Sequence, residues 1–118
     1  MSIQVKRAYE APAKSDGYRV LVDRVWPRGV KKEQLELDAW LKQLAPSTRL
    51  RKWFAHDPTK WTEFKKRYFR ELAEQQSDTR ELRKKSRQGR VTLVFAAKEV
   101  EFNNAVALKE YLRKGHAK

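Results

Sequence analysis

The sequence predicts an α/β domain in which helices pack on a mostly parallel sheet of three to four strands. Three observations carry this. Short valine- and isoleucine-containing runs alternate along the chain with segments of helical periodicity. The last such run, Arg90 to Ala97 (R-V-T-L-V-F-A-A), is apolar almost throughout, as strands covered on both faces of a parallel sheet are. The chain has 118 residues, 40% of them hydrophobic, with four Trp, four Tyr and five Phe, which suits one domain (1–118) with a modest core.

The elements follow in order. Ser2 to Ala8 alternates apolar and polar residues and reads as a first strand, followed by a connector rich in Pro, Ser, Asp and Gly. Tyr18 to Val25 fits two templates. Tyr18, Leu21, Val22 and Val25 share a helical face, yet the run is short, valine-rich and flanked by Gly17 and Pro27, which favours a buried strand. Pro27 keeps Trp26 out of the helical region in either case. Lys31 to Leu35 predicts a short helix, and Leu37 to Leu44 a strand. Ser47 is an N-cap for the helix T-R-L-R-K-W-F-A, with Leu50, Trp53 and Phe54 inward.

Asp57-Pro58 is the clearest helix start: Asp caps, and Pro fits the first helical position. Trp61, Phe64, Tyr68 and Leu72 then recur at helical spacing, a stripe that reads as core. Thr79 to Gln88 predicts a weaker helix ended by Gly89. Phe102 to Arg113 closes the chain as a helix with Ala105, Leu108 and Leu112 inward and Gly115 behind it.

Charged residues make up 36% of the chain and the net charge is +13. A disordered chain would share that charge but lack these aromatics. Polyanions are the expected partners, whether nucleic acid, nucleotides or anionic lipid, although solubility alone also explains a basic surface. The absence of cysteine excludes disulfides, thiolate metal sites and cysteine nucleophiles. The N-terminus M-S-I-Q-V-K-R has no apolar signal core, and no apolar run approaches membrane length, so a cytoplasmic location without a membrane partner is expected.

In α/β sheets ligands gather beyond the carboxyl ends of the strands. The first strand delivers Arg7 and Tyr9 there. A second strand delivers Asp23, Arg24, Trp26 and Arg28. The third leads to Ser47, and the last to Lys98, Asn103 and Asn104. That rim is cationic, with hydroxyl and amide donors and one carboxylate, and suits a phosphate or carboxylate. The parallel arrangement requires a short first crossover. About eight residues from Tyr9 to Gly17 reach roughly 26 Å when extended, enough to return beside a six-residue strand. A hairpin is the rival and would move Arg7 and Tyr9 to the opposite edge.

Structural readings compete at each position. Asp23 and Arg24 suit an ordinary ion pair, Trp26 a core residue, and Ser47 and Asp57 helix caps. Lys98 suits a solvated loop, and Asn103 or Asn104 an N-cap. His56 and His116 lack metal-ligand spacing. There is no glycine-rich phosphate loop and no nucleophile elbow, so neither cofactor nor metal is expected. Arg80, Arg83, Lys84, Lys85 and Arg87 form a basic helical segment suited to phosphates or to a solvated face, without a readable recognition-helix pair.

The strings D-G-Y-R-V-L-V-D-R-V-W-P-R-G, W-L-K-Q-L-A-P-S-T-R-L-R-K-W-F and F-A-A-K-E-V-E-F-N-N-A resemble the YeaO-like branch of the domain-of-unknown-function 488 family, over nearly the whole chain. The resemblance implies a compact, Rossmann-like three-layer α/β domain. Some members carry a MarR-type transcriptional-regulator label. Other branches end a strand with V-D-x-R before a Pro; Val22, Asp23, Arg24 and Pro27 look like its counterpart, which implies a strand for Tyr18–Val25. Those branches also end the last strand with a Cys and an acidic residue, then place Cys-His-Arg at the next helix. Here the similar positions hold Phe95 and Ala97, then Asn103, Asn104 and Ala105, and only Lys98 persists. Thiol- or histidine-based chemistry is therefore not expected to carry over.

The expectation is a phosphate-bearing ligand, a nucleotide or nucleic-acid component. Arg7, Arg24, Arg28 and Lys98 would hold its anion, and Trp26 or Tyr9 would stack on a ring. Asp23 is the nearby carboxylate for acid–base work, should the protein be an enzyme. The alternative is nucleic-acid binding through the basic surface without catalysis.

Overall fold

Side-chain alternation along the strands divides the residues between two unequal faces of one sheet. The computed structural model describes residues 1–114. Strands β1 (Ser2–Arg7), β2 (Tyr18–Leu21), β3 (Ala39–Trp40) and β4 (Arg90–Phe95) run parallel in the order β1-β4-β2-β3. The apolar run is central, with Ser2 to Arg7 registered against Arg90 to Phe95 on one side and Tyr18 to Leu21 against Val91 to Val94 on the other. β1 and β2 therefore do not form a hairpin; β4 lies between them.

The larger core lies on one face. Ile3, Val20, Val91, Leu93 and Phe95 pack there against α2 (Thr48–Phe54), α3 (Trp61–Leu72), α4 (Gln76–Gln88) and α5 (Asn104–Lys114) through Leu50, Phe54, Phe64, Tyr68, Leu82, Leu108 and Leu112. The other face is covered more thinly. Ala8, Leu21 and Val94 meet Leu35 of α1 (Lys32–Leu35), and Trp26, Val30, Leu37 and Trp40 close the cluster.

The remainder of the second face is polar and fully satisfied. Asp16 (1% exposed) accepts from Arg19 Nη1 at 2.7 Å, from Lys6 Nζ at 3.1 Å, from Gln4 Nε2 at 2.9 Å and from Ala13 N–H at 3.0 Å. Arg19 also donates Nη2 (2.8 Å) and Nε (3.1 Å) to Leu35 O, closing the end of α1. A buried pair of this kind is tolerated only when its remaining hydrogen-bonding capacity is used. Gly17 turns the chain into β2 at φ 66°, where an added Cβ would sit 2.3 Å from Arg90 O.

Several boundaries differ from the sequence expectation. The run Leu37 to Leu44 forms only the two-residue β3 and then a 3-10 turn, Lys42–Leu44. Leu41 N–H still donates to Leu21 O, but Val22 N–H bonds to Val94 O and the β2 chain then leaves the sheet, so residues beyond Leu41 have no strand to pair with. For the same reason β2 stops at Leu21 rather than Val25. α5 starts at Asn104 because Asn103 caps it, accepting from Val106 N–H at 2.9 Å. α4 begins at Gln76, ahead of Thr79. Asp57 caps as expected, but Pro58–Lys60 is a 3-10 turn that leads into α3. Trp53 is half-buried, with Arg67 Cζ 4.1 Å from its ring centroid. Gly115 and His116 lie outside the described residues.

Candidate functional site

After β2 the chain passes to the second face, carrying Trp26, Val30 and α1; after β4 it passes to the first face as α5. The two strands are neighbours, so their connections diverge and leave a crevice at their carboxyl ends. This is the switch point at which open α/β sheets bind ligands. A cavity of about 520 Å³ occupies it, within the roughly 300–1,000 Å³ of ligand pockets. One wall is Asp23 to Arg28, the facing wall Ala96, Ala97 and Phe102 to Asn104. The segment Ala45-Pro46 with α2 supplies Thr48, Arg51, Lys52 and Phe54, and His56 and Phe64 complete the lining.

Among the described residues Asp23 is the one carboxylate lining this cavity. Its Oδ2 accepts from Ala96 N–H at 2.9 Å and its Oδ1 from Asn104 Nδ2 at 3.0 Å. Burial pushes its pKa above the usual carboxylate value, against the lowering effect of Asn104, Ala96 and the Arg51 charge. The Asp23–Arg24 ion pair, the competing structural reading of these two residues, is not among the ion pairs of the described residues. Instead Arg24 is exposed, with one long bond from Nη2 to Ala45 O at 3.5 Å. Among the described residues no carboxylate pairs with Arg24, Arg28, Arg51 or Lys52.

Seven of the sequence-predicted residues line the cavity: Tyr9, Asp23, Arg24, Trp26, Arg28, Asn103 and Asn104. Tyr9 donates its hydroxyl to Arg28 O at 3.0 Å, bridging the ends of β1 and the β2 wall. Trp26 is half-buried; its Nε1 donates to Val30 O at 2.7 Å and its ring meets Trp40 edge-on at 5.4 Å. Asn103 is occupied as the α5 cap.

Three predicted residues are not in the lining. Arg7 lies behind it, donating Nε to Ala97 O (3.0 Å) and Nη2 to Ala96 O (3.4 Å) and so fixing that wall. Ser47 is consumed by structure: its Oγ donates to Glu71 at 2.7 Å and accepts from Leu50 N–H at 3.1 Å. Lys98 is exposed in the loop after β4. Arg51 and Lys52 bring the cationic charge that Lys98 was expected to supply; both lie on α2, where nothing local distinguishes them from solvated helix charges. His56 lines the cavity from a tight turn in which it and Ala55 both have left-handed φ, 57° and 46°.

The basic segment of α4 is divided. Arg83 donates to Leu112 O and Tyr111 O at the end of α5, and Lys85 pairs with Glu81 and lies over Tyr18. Arg80, Lys84 and Arg87 are exposed. Arg87 belongs to a shallow depression with Ser2 and Arg90, at the amino ends of the strands and so at the opposite edge from the cavity. Among the described residues no group of His, Asp and Glu is arranged to hold a metal ion. No described helix is long and apolar enough to cross a membrane.

The family model described as the "Inactive DUF488-N3 subclade" matches residues 2–118. The chain is 42% identical over 113 residues to the uncharacterized protein YeaO of Escherichia coli, covering 96% of this chain and 98% of that one. It is 40% identical over 110 residues to the uncharacterized proteins Mb3100c of Mycobacterium bovis and Rv3073c of Mycobacterium tuberculosis, covering 93% of this chain and 92% of theirs. No solved structure matches it at a significant level. The chain therefore belongs to the DUF488 family, on its YeaO-like branch.

Proposed function

We propose that this is a cytoplasmic protein that binds a phosphate-bearing ligand, a nucleotide or nucleic-acid component, in the crevice between the ends of β2 and β4. One observation carries the reading. Arg24, Arg28, Arg51 and Lys52 converge on one cavity without carboxylate partners among the described residues. Four cations beside a single carboxylate, Asp23, leave a net positive charge in the cavity, and an anionic ligand relieves their mutual repulsion. The apolar lining of Trp26, Phe54, Phe64 and Phe102 suits a ring or sugar attached to the phosphate.

The family description "inactive" favours binding over catalysis. Asp23 remains the candidate acid–base group, because its raised pKa and cavity position are what such a role needs. The test is a thermal-shift screen against nucleotides and sugar phosphates, repeated with Arg24→Ala. A ligand that binds the native state raises the melting temperature by mass action. A rise with at least one phosphate compound, reduced in the variant, supports the reading; no rise with any of them sinks it.

A second reading rests on Arg80, Lys84 and Arg87 of α4, exposed and without an ion-pair partner among the described residues, which form a basic surface away from the cavity. Nucleic acid held there would dissociate steeply with added salt, whereas a mononucleotide in the crevice would be less sensitive.

A further inference from the structure

The carboxylate of the cavity is only half used by the described residues. Ala96 N–H occupies Asp23 Oδ2 and Asn104 Nδ2 occupies Oδ1. An ionised carboxylate offers about four acceptor sites, two on each oxygen. Among the described residues nothing takes the second site on each oxygen, and Asp23 lines the cavity. The two protein donors are neutral, and among the described residues no cation is paired with Asp23.

The group is also held in place. Asn104 is fixed by a second bond from Nδ2 to Val22 O at 3.0 Å, and Arg7 holds the carbonyl of Ala96. Trp40 Nε1 donates to Asp23 O at 2.7 Å, which fixes the backbone that carries the carboxylate. A side chain built only to balance charge needs no such support. A fixed acceptor with one free site on each oxygen fits two adjacent donors on a ligand.

We propose that Asp23 determines ligand specificity by accepting a pair of adjacent hydrogen-bond donors, while Arg24, Arg28, Arg51 and Lys52 hold the phosphate. This rests on the phosphate-binding reading above and names the rest of the ligand. Paired donors of this kind occur on the vicinal hydroxyls of a ribose and on the N–H and amino edge of guanine. A site that hydrogen-bonds such a group discriminates strongly against an analogue lacking it, because its own polar atoms are then left unpaired. Asp23 is thus a binding residue whose selectivity does not depend on turnover.

Calorimetric titration of the full chain with pyrophosphate, AMP, GMP and 2′-deoxy-GMP tests this, using the wild type, Asp23→Ala and Asp23→Asn. The wild type is expected to bind at least one ribonucleotide about tenfold or more tighter than pyrophosphate. Asp23→Ala is expected to abolish that preference while pyrophosphate affinity holds or rises, since a negative charge has left the cavity. Asp23→Asn, which keeps the shape, is expected to do the same and stands in if Asp23→Ala does not fold. A preference for GMP over AMP that is lost in both variants identifies the guanine edge. Loss of affinity on removing the 2′-hydroxyl identifies the diol. Equal affinity of the wild type for pyrophosphate and every nucleotide overturns the inference and leaves the phosphate site standing. So does an equal proportional loss for all four compounds in both Asp23 variants. No binding of any compound to the wild type overturns both.

Discussion

Asn104 Nδ2 donates to Val22 O and to Asp23 Oδ1, each at 3.0 Å, and so ties the first residue of α5 to the end of β2. The bond pair spans the crevice between strands that send the chain to opposite faces. Asn104→Ala removes both bonds and leaves Asp23 with Ala96 N–H alone. A loss of about 1–3 kcal/mol is expected, the range for stranding buried acceptors, read as a lower urea midpoint with unchanged slope. Asn104→Asp should behave differently. Two carboxylates in hydrogen-bond range oppose joint ionisation, so this variant should melt below wild type at neutral pH and approach it in acid.

Asp23 should oppose folding at neutral pH. Burial raises its pKa above the unfolded value, so the native state holds that proton more tightly than the unfolded chain does. Its contribution to stability is fully present below the unfolded pKa and is lost as pH rises through the raised native value. The unfolding free energy of wild type minus that of Asp23→Asn should therefore fall as pH rises from about 3 towards neutrality. A difference that is flat, or that grows with pH, contradicts the assignment. The cost is what a half-satisfied, partly buried binding group entails.

Asp16 should show the opposite sign. Burial would raise its pKa, but hydrogen bonds from Ala13 N–H, Lys6 and Arg19 outweigh that and hold it below the usual value. Its contribution is present above the unfolded pKa and lost as pH falls through the lowered native one. Asp16→Ala strands Arg19, which is 4% exposed, and should cost about 3–5 kcal/mol, as breaking a buried pair does. Chemical denaturation at neutral pH measures it, and the gap to wild type should narrow in strong acid.

The glycines offer a contrast between backbone strain and collision. Gly17 and Gly29 both have positive φ, 66° and 78°. An added Cβ at Gly17 meets Arg90 O at 2.3 Å, whereas at Gly29 nothing lies within 4 Å. Gly29→Ala should cost about 1–2 kcal/mol, from the left-handed conformation alone. Gly17→Ala must also displace the start of β4 and should be the far more destabilised of the two by thermal melting.

The sheet was legible because its period is short and β4 is bare of charge after Arg90: Val91 to Phe95 could be read as buried without reference to anything else. Cap chemistry placed α2 and the turn before α3, since Ser47 and Asp57 each act on donors within three residues. Strand ends were less legible. β3 is two residues long because β2 leaves the sheet after Leu21, a fact about its partner and not about Leu37 to Leu44. The site divides in the same way. Asp23, Arg24 and Arg28 follow a strand end and were found by that rule. Arg51 and Lys52 reach the cavity only through the packing of α2, and Lys98 stands exposed in the loop just past the Ala96–Ala97 wall, outside the lining.

Titration with pyrophosphate, followed by calorimetry in wild type, Arg51→Ala and Arg80→Ala, tests the phosphate crevice most directly. Arg51 lines the cavity, and Arg80 is an exposed cation of α4 with the same charge. The crevice predicts saturable binding at one site, weakened about tenfold or more by Arg51→Ala, the loss of a charged hydrogen bond, and unchanged by Arg80→Ala. Absence of saturable binding, or equal weakening by the two substitutions, would contradict it.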